Sequence, residues 1–333
     1  MKAAIVGVAG PALADAEAAL FRAHLPAGVI LFARNIVDPP QLRALTAALR
    51  GALPPEAVLM VDQEGGRVAR LRAPYWRTHP PAAAIGRAFF DNAAIGSRAA
   101  WLTGALIGYD CADAGFDVVC APVLDRRIQG ADSAIGDRAF ASDPEAVAKL
   151  GGILADGLLA AGVQPVGKHA PGHGRARVDS HAELPVVEDE DLASDLLPFV
   201  CNAELPWMMT AHIRYPVWDD ANPATHSPRI IADIIRGRID FGGVLVSDDL
   251  AMNALTGTPA ERATRALAAG CDLALYCPGD PAGTAAVLEA CPGVTSVAAG
   301  RMAAARALAS ERRLALDPAS LHAERDRLMS RHA

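Results

Sequence analysis

The chain is sparing in charge and nearly empty of lysine. Charged residues make up 21% of 333 and hydrophobic ones 52%, too few charges for extended disorder and ample material for a core. Only Lys2, Lys149 and Lys168 stand against 28 arginines. No basic run or arginine-aromatic stripe is present, and the balance of 31 Lys plus Arg to 38 Asp plus Glu gives −7, so nucleic acid is not an expected partner. No apolar stretch approaches the roughly 20 residues that span a bilayer. A membrane is therefore not an expected partner either. The six cysteines form no CxxC pair and no zinc-type spacing, and all are read as buried, reduced thiols. No repeat or low-complexity linker divides the chain, which is read as one domain over 1–333, with 292–333 a helical tail packed on it.

At the N-terminus Lys2, the apolar run Ala3 to Ala9 and Ala12-Leu13-Ala14 imitate a short signal peptide. The competing reading, a buried first strand, is preferred because the rest of the chain needs one. A cytoplasmic location is the expectation that follows.

What is abundant is alternation. Short apolar runs at Ala3–Val8, Gly28–Phe32, Ala57–Val61, Phe116–Ala121, Val163–Gly167, Trp207–Ala211, Gly243–Ser247 and Asp272–Tyr276 read as eight strands. Helical patterns lie between them at Pro39–Ala52, Asp91–Ala114, Pro144–Ala161, Glu190–Ala203, Ser227–Arg238 and Pro259–Ala269. Strands that are hydrophobic throughout belong to a sheet buried on both faces, and eight strand-helix units predict an α/β fold of the (β/α)8 TIM-barrel type. A doubly wound open sheet is the alternative, but no GxGxxG turn follows an early strand.

Active sites of barrels gather where strands end. Arg34-Asn35, Asp62-Gln63-Glu64, Asp125, Lys168-His169, His212 and Asp248-Asp249 fall there. Asp62-Gln63-Glu64-Gly65-Gly66-Arg67 joins two acids to two glycines, which suits a small polar ligand such as a sugar's hydroxyl pair; the plainer reading is a helix N-cap. Arg67 and Arg70 are spaced as one helical turn. In Lys168-His169-Ala170-Pro171-Gly172-His173-Gly174, His169 and His173 have metal-ligand spacing for a helix, but the proline and glycines exclude one. A metal is not expected, and His173 is read as organising its loop. In Asp179-Ser180-His181 an extended backbone would point residues i and i+2 the same way, so that Asp179 can fix the tautomer of a proton-transferring His181. Ser247-Asp248-Asp249 ends an apolar strand in two carboxylates, either of which can be a nucleophile.

Together with Ala134-Ile135-Gly136-Asp137-Arg138-Ala139-Phe140, these five ordered motifs resemble the bacterial β-N-acetylglucosaminidases of glycoside hydrolase family 3, the NagZ type, from about Gly28 to Pro278. The resemblance implies a retaining exo-β-hexosaminidase on one TIM barrel that removes non-reducing terminal N-acetylglucosamine from cell-wall turnover fragments carrying anhydro-N-acetylmuramic acid. It implies Asp248 as nucleophile, His181 as acid/base and Asp179 as its partner, with Asp62, Arg70, Arg138, Lys168 and His169 holding the sugar. No cofactor or metal is implied; a small carbohydrate is the expected partner, and the chain is expected to act as a monomer. Ala170 departs from the family's aromatic residue at that place, for which a packing change is expected. Because a histidine acid/base does not repel an incoming anion, phosphate is a second possible acceptor beside water. The rival readings are a related β-glycosidase, a metal-dependent TIM-barrel amidohydrolase, for which Val6-Gly7-Val8-Ala9 lacks the H-x-H pair, and a catalytically silent sugar-binding barrel.

Overall fold

The computed structural model describes residues 1–180 and 182–331. Its strands, in chain order, are β1 Lys2–Gly7, β2 Pro26–Leu31, β3 Val58–Val61, β4 Val118–Val119, β5 Gln164–Ala170, β6 Trp207–Thr210, β7 Arg214–Tyr215, β8 Asp219–Pro223, β9 Val244–Asp249 and β10 Leu273–Tyr276. β7 and β8 form a separate antiparallel hairpin, and the other eight close a parallel barrel in chain order, with β10 returning to β1. The (β/α)8 barrel predicted by the alternation is the fold observed.

Alternate strand residues serve two cores. Ile5, Ile30, Met60, Val118, Val166, Trp207, Met209, Val246 and Leu275 fill the barrel interior. Val6, Val29, Leu31, Leu59, Val61 and Leu245 face outward into the layer shared with the helices. β4 holds ladder pairs at Val118 and Val119 only, where a strand over Phe116–Ala121 was expected. Pro165 opposite it has no N–H to give, although Gln164 and Val166 still donate to Asp117 and Ala121.

The helices are α1 Asp15–His24, α2 Pro39–Ala52, α3 Ala82–Asp91, α4 Ala93–Asp113, α5 Pro144–Ala160, α6 Ala193–Val200, α7 Pro259–Ala269, α8 Pro281–Ala290, α9 Ser296–Glu311 and α10 Pro318–Met329. The helix expected from Asp91 to Ala114 is α4, which starts at Ala93 because the Asn92 side chain accepts from the N–H groups of Ala94 and Ile95. The stretch expected as Ser227–Arg238 is a π-helix over Ile230–Arg238. α1, α3, α8 and the hairpin were not anticipated.

The tail does more than coat the outside. Residues 292–294 are tied to Met1 and Ala3 at the start of β1, and Met302 and Ala305 of α9 join the interior core, closing the barrel's lower end. α10 packs on α4. Cys201 corrects one expectation: it is exposed at the end of α6, whereas the other five cysteines are buried, and all six are free thiols. Among the described residues no helix is long and apolar enough to cross a membrane.

Candidate active site

β3 delivers Asp62 to the upper rim, and the chain then turns sharply. Gly65 and Gly66 have φ of +98° and +54°, the left-handed region in which a side chain is costly. The N–H groups of Glu64 and Gly65 both reach Val68 O, and the fully buried Gln63 accepts from the N–H groups of Arg70 and Leu71 at 2.7 and 3.0 Å. No helix follows until α3, so the N-cap reading and the one-turn spacing of Arg67 and Arg70 do not hold. Both arginines line the same pocket but take different partners. Arg70 pairs with Asp62 at 3.3 Å, while Arg67 pairs with Asp137 at 2.9 Å and donates to Ser133 O and Ala134 O.

Lys168, from β5, is the hub of this rim. It is 2% exposed, and its Nζ lies 2.9 Å from Asp62 Oδ1 and 2.7 Å from Glu64 Oε1. Arg138 grips Glu64 with Nε and Nη2 at 2.8 and 2.9 Å and gives Nη1 to Ala134 O. Burial alone would push both carboxyls up. The Lys168 and Arg70 cations hold Asp62 below its ordinary value, and Arg138 and Lys168 hold Glu64 far below. For Lys168 burial works against the charge, but the two carboxylates win and raise its pKa. Asp62, Glu64, Lys168, Arg70 and Arg138 are thus all ionised and mutually paired.

A second cluster stands beside the first. Asp125, 1% exposed, takes the Nδ1 of His169 at 2.6 Å and the backbone N–H of His173 at 2.6 Å. Although burial opposes it, His169 and these bonds keep the Asp125 carboxyl below its ordinary value. His173 packs edge-on against His169, with ring centroids 5.6 Å apart, and burial next to that ring depresses its pKa to about 4. It is a neutral support of the loop.

The two carboxylates of β9 have different fates. Asp249 Oδ1 accepts from the N–H groups of Ala251 and Cys277 at 3.0 Å each, and burial raises its pKa. Asp248 is 7% exposed. Burial would raise it too, but His169, His212 and the Asp249 N–H at 2.8 Å bring it below the ordinary carboxylate value. His212 is fixed between Thr225 Oγ1 and Asp249 O. Of the pair, Asp248 is the carboxylate held below its ordinary value.

Asp62, Glu64, Arg70, Arg138, Lys168, His169, Asp179 and Asp248 all line one cavity of about 230 Å³. Phe32, Met209 and Met252 supply apolar wall. Seven of the eight expected site residues thus converge, and the eighth, His181, lies outside the described residues. Asp179 O accepts from the N–H groups of Ala182 and Glu183, and the expected Asp179–His181 pairing lies outside the described residues. Ser180 anchors the turn to Met252 Sδ at 3.7 Å and to Ala254 N. Glu64, Asp125 and His212 were visible as polar residues at strand ends, but their roles as partners of Lys168, His169 and Asp249 were not. Among the described residues no group of His, Cys, Asp or Glu is arranged to hold a metal ion.

A (β/α)8 barrel whose rim sets a buried, ionised carboxylate among paired polar groups in a sugar-sized cavity is the working form of a glycoside hydrolase. The chain belongs to glycosyl hydrolase family 3: the model of that family's N-terminal domain matches residues 3–315. A β-hexosaminidase of Pseudomonas aeruginosa is 44% identical over 261 residues, covering 75% of this chain and 74% of its own. One from Aromatoleum aromaticum is 41% identical over 280 residues, covering 82% and 78%. The crystal structure of NagZ from Neisseria gonorrhoeae in complex with N-trifluoroacetyl-D-glucosamine superposes with a TM-score of 0.87 at 30% identity, covering 100% of this chain and 98% of that one. The resemblance to the NagZ-type enzymes therefore holds over nearly the whole length.

Proposed function

We propose that the protein is a retaining exo-β-N-acetylglucosaminidase that removes non-reducing terminal N-acetylglucosamine from peptidoglycan turnover fragments, GlcNAc-anhydroMurNAc and its peptides, as a cytoplasmic monomer. The observation that carries this is Asp248, a 7% exposed carboxylate kept ionised at the wall of a cavity of about 230 Å³. The name of the curated relatives and the N-acyl glucosamine bound to the gonococcal structure support the sugar's identity.

In the first step Asp248 attacks the anomeric carbon as the bond to the leaving oxygen breaks, and His181 gives that oxygen its proton. Water then attacks the same carbon and returns a proton to His181, and Asp248 is released; two inversions restore the β configuration. Asp179 orients His181 and favours its charged form. Asp62, Arg70, Lys168 and His169 hold the sugar's hydroxyls, and Arg138 acts on the same rim through its fork on Glu64.

The test is release of p-nitrophenol from its β-N-acetylglucosaminide in phosphate-free buffer with EDTA. Wild-type turnover, with Asp248→Asn dead, His181→Ala crippled and the β anomer formed first by NMR, is the expected result. Activity indifferent to both changes, or lost to EDTA, would overturn the mechanism. A sugar phosphate appearing when phosphate is added would make phosphate the acceptor.

A further inference from the structure

α10 lies beyond the residues that the family model matches, and two kinds of bond fasten it. On its exposed side Glu324 pairs with Arg98 of α4 at 2.8 and 2.7 Å. On its buried side Arg325, 3% exposed, gives Nη1 to His79 Nδ1 at 2.9 Å and Nη2 to Thr78 O at 3.1 Å. Asp326 accepts from the same guanidinium at 3.1 and 2.8 Å. Arg77 pairs with Asp110, whose Oδ2 is 3.6 Å from His79 Nε2. A buried guanidinium is a costly way to attach one helix to another, since apolar residues of similar volume often serve as well or better. What its fork can do and a leucine cannot is fix the position of residues 78 and 79.

Those residues brace the rim. His79 O accepts the N–H of Gly66, and the chain lies so close beneath the elbow that a Cβ on Gly65 would stand 2.6 Å from Pro80 O and one on Gly66 would stand 2.7 Å from Pro81 Cβ. The elbow begins with Asp62 and Glu64 and returns through Arg70. A continuous path of hydrogen bonds and packed backbone therefore runs from the C-terminal helix to the sugar pocket.

We propose that Arg325 is a positioning residue for that pocket: through His79 and Gly66 it holds the elbow carrying Asp62, Glu64 and Arg70, and so sets affinity for the sugar. The inference rests on the activity assigned above; Arg325 touches no reacting atom, so its removal acts on KM. The experiment is p-nitrophenyl β-N-acetylglucosaminide kinetics with thermal melts for wild type, Arg325→Met, Arg325→Lys and Arg98→Met. Arg325→Met raises KM roughly tenfold with kcat nearly unchanged, the signature of lost uniform binding. Arg325→Lys, which keeps the charge without the fork, raises KM by a smaller factor. Arg98→Met loosens the same helix and lowers Tm but leaves KM alone. An unchanged KM in both Arg325 variants, or an equal rise in Arg98→Met, overturns the inference; should the Met variant fail to fold, the Lys variant against Arg98→Met decides. A wild type that does not cleave the glycoside overturns the assigned activity instead.

Discussion

Lys168 has two carboxylates and almost no water. Replacing it with methionine leaves Asp62 and Glu64 repelling one another, each with only one arginine for relief. Removing one partner of a buried ion pair costs about 3–5 kcal/mol, and the surviving Arg70 and Arg138 put Lys168→Met near the lower end of that range. Urea unfolding at neutral pH reads this as a fall in midpoint, and the variant's KM for the chromogenic glycoside rises with it. At this scale the sequence was informative about which residues bear chemistry, because rare polar residues ending apolar strands stand out. Pairing was hidden. Glu64 meets Arg138 and Lys168 only through tertiary closure, and Asp125 meets His169 across neighbouring strands. The paired state of Arg138 likewise could not be read from its motif, which shows the arginine but not what its fork holds.

Among the elements, α4 and α5 make a close approach that depends on glycine. A Cβ on Gly104 would stand 2.1 Å from Leu154 O, and one on Gly157 would stand 2.3 Å from Trp101 O. Gly104→Ala must force the two helices apart and is expected to cost at least 1–3 kcal/mol, the usual range for overpacking. Gly300, in the second turn of α9, has nothing within 4 Å of such an atom. There Gly300→Ala is expected to stabilise by about 0.5–1 kcal/mol through helix propensity. Paired thermal melts check both signs, and a stabilised Gly104→Ala would refute the packing account. The strands were the legible elements, since a buried parallel strand is hydrophobic along its whole length. α8 was overlooked although Asp280 and Pro281 carry a start signal, its N-cap oxygen accepting from Gly283 N–H. The β7–β8 hairpin was not legible: Asp219, Asp220, Ala221 and Asn222 form a polar strand, against β propensity, stabilised by the Asp219 carboxylate, which accepts from Ala221, Asn222 and Ser227.

For the molecule as a whole, acid is the revealing stress. Burial depresses His173 to about 4 and His226 likewise, so above pH 6.5 these groups are neutral in both folded and unfolded chains and contribute nothing. Between pH 6.5 and about 4 the unfolded chain takes up protons that the fold refuses, and stability falls by about 1.4 kcal/mol per pH unit for a fully buried histidine such as His173. Asp62, Glu64, Asp125 and Asp248 are held low, and their contributions are lost only below that, as pH drops through their folded values. Urea midpoints at pH 7 and pH 5 are therefore expected to differ well before these four carboxylates titrate; a flat profile over that interval would contradict the buried, neutral state of His173.

The closure of the barrel has a further implication for synthesis. Ala4 of β1 is paired with Ala274 of β10, so one side of the first strand stays open until nearly the whole chain has left the ribosome. During translation β1 is an apolar edge without its neighbour, the state in which strands join the wrong partner. Completion of this fold is thus governed by its longest-range contact, the one whose loop closure costs most and which is made last.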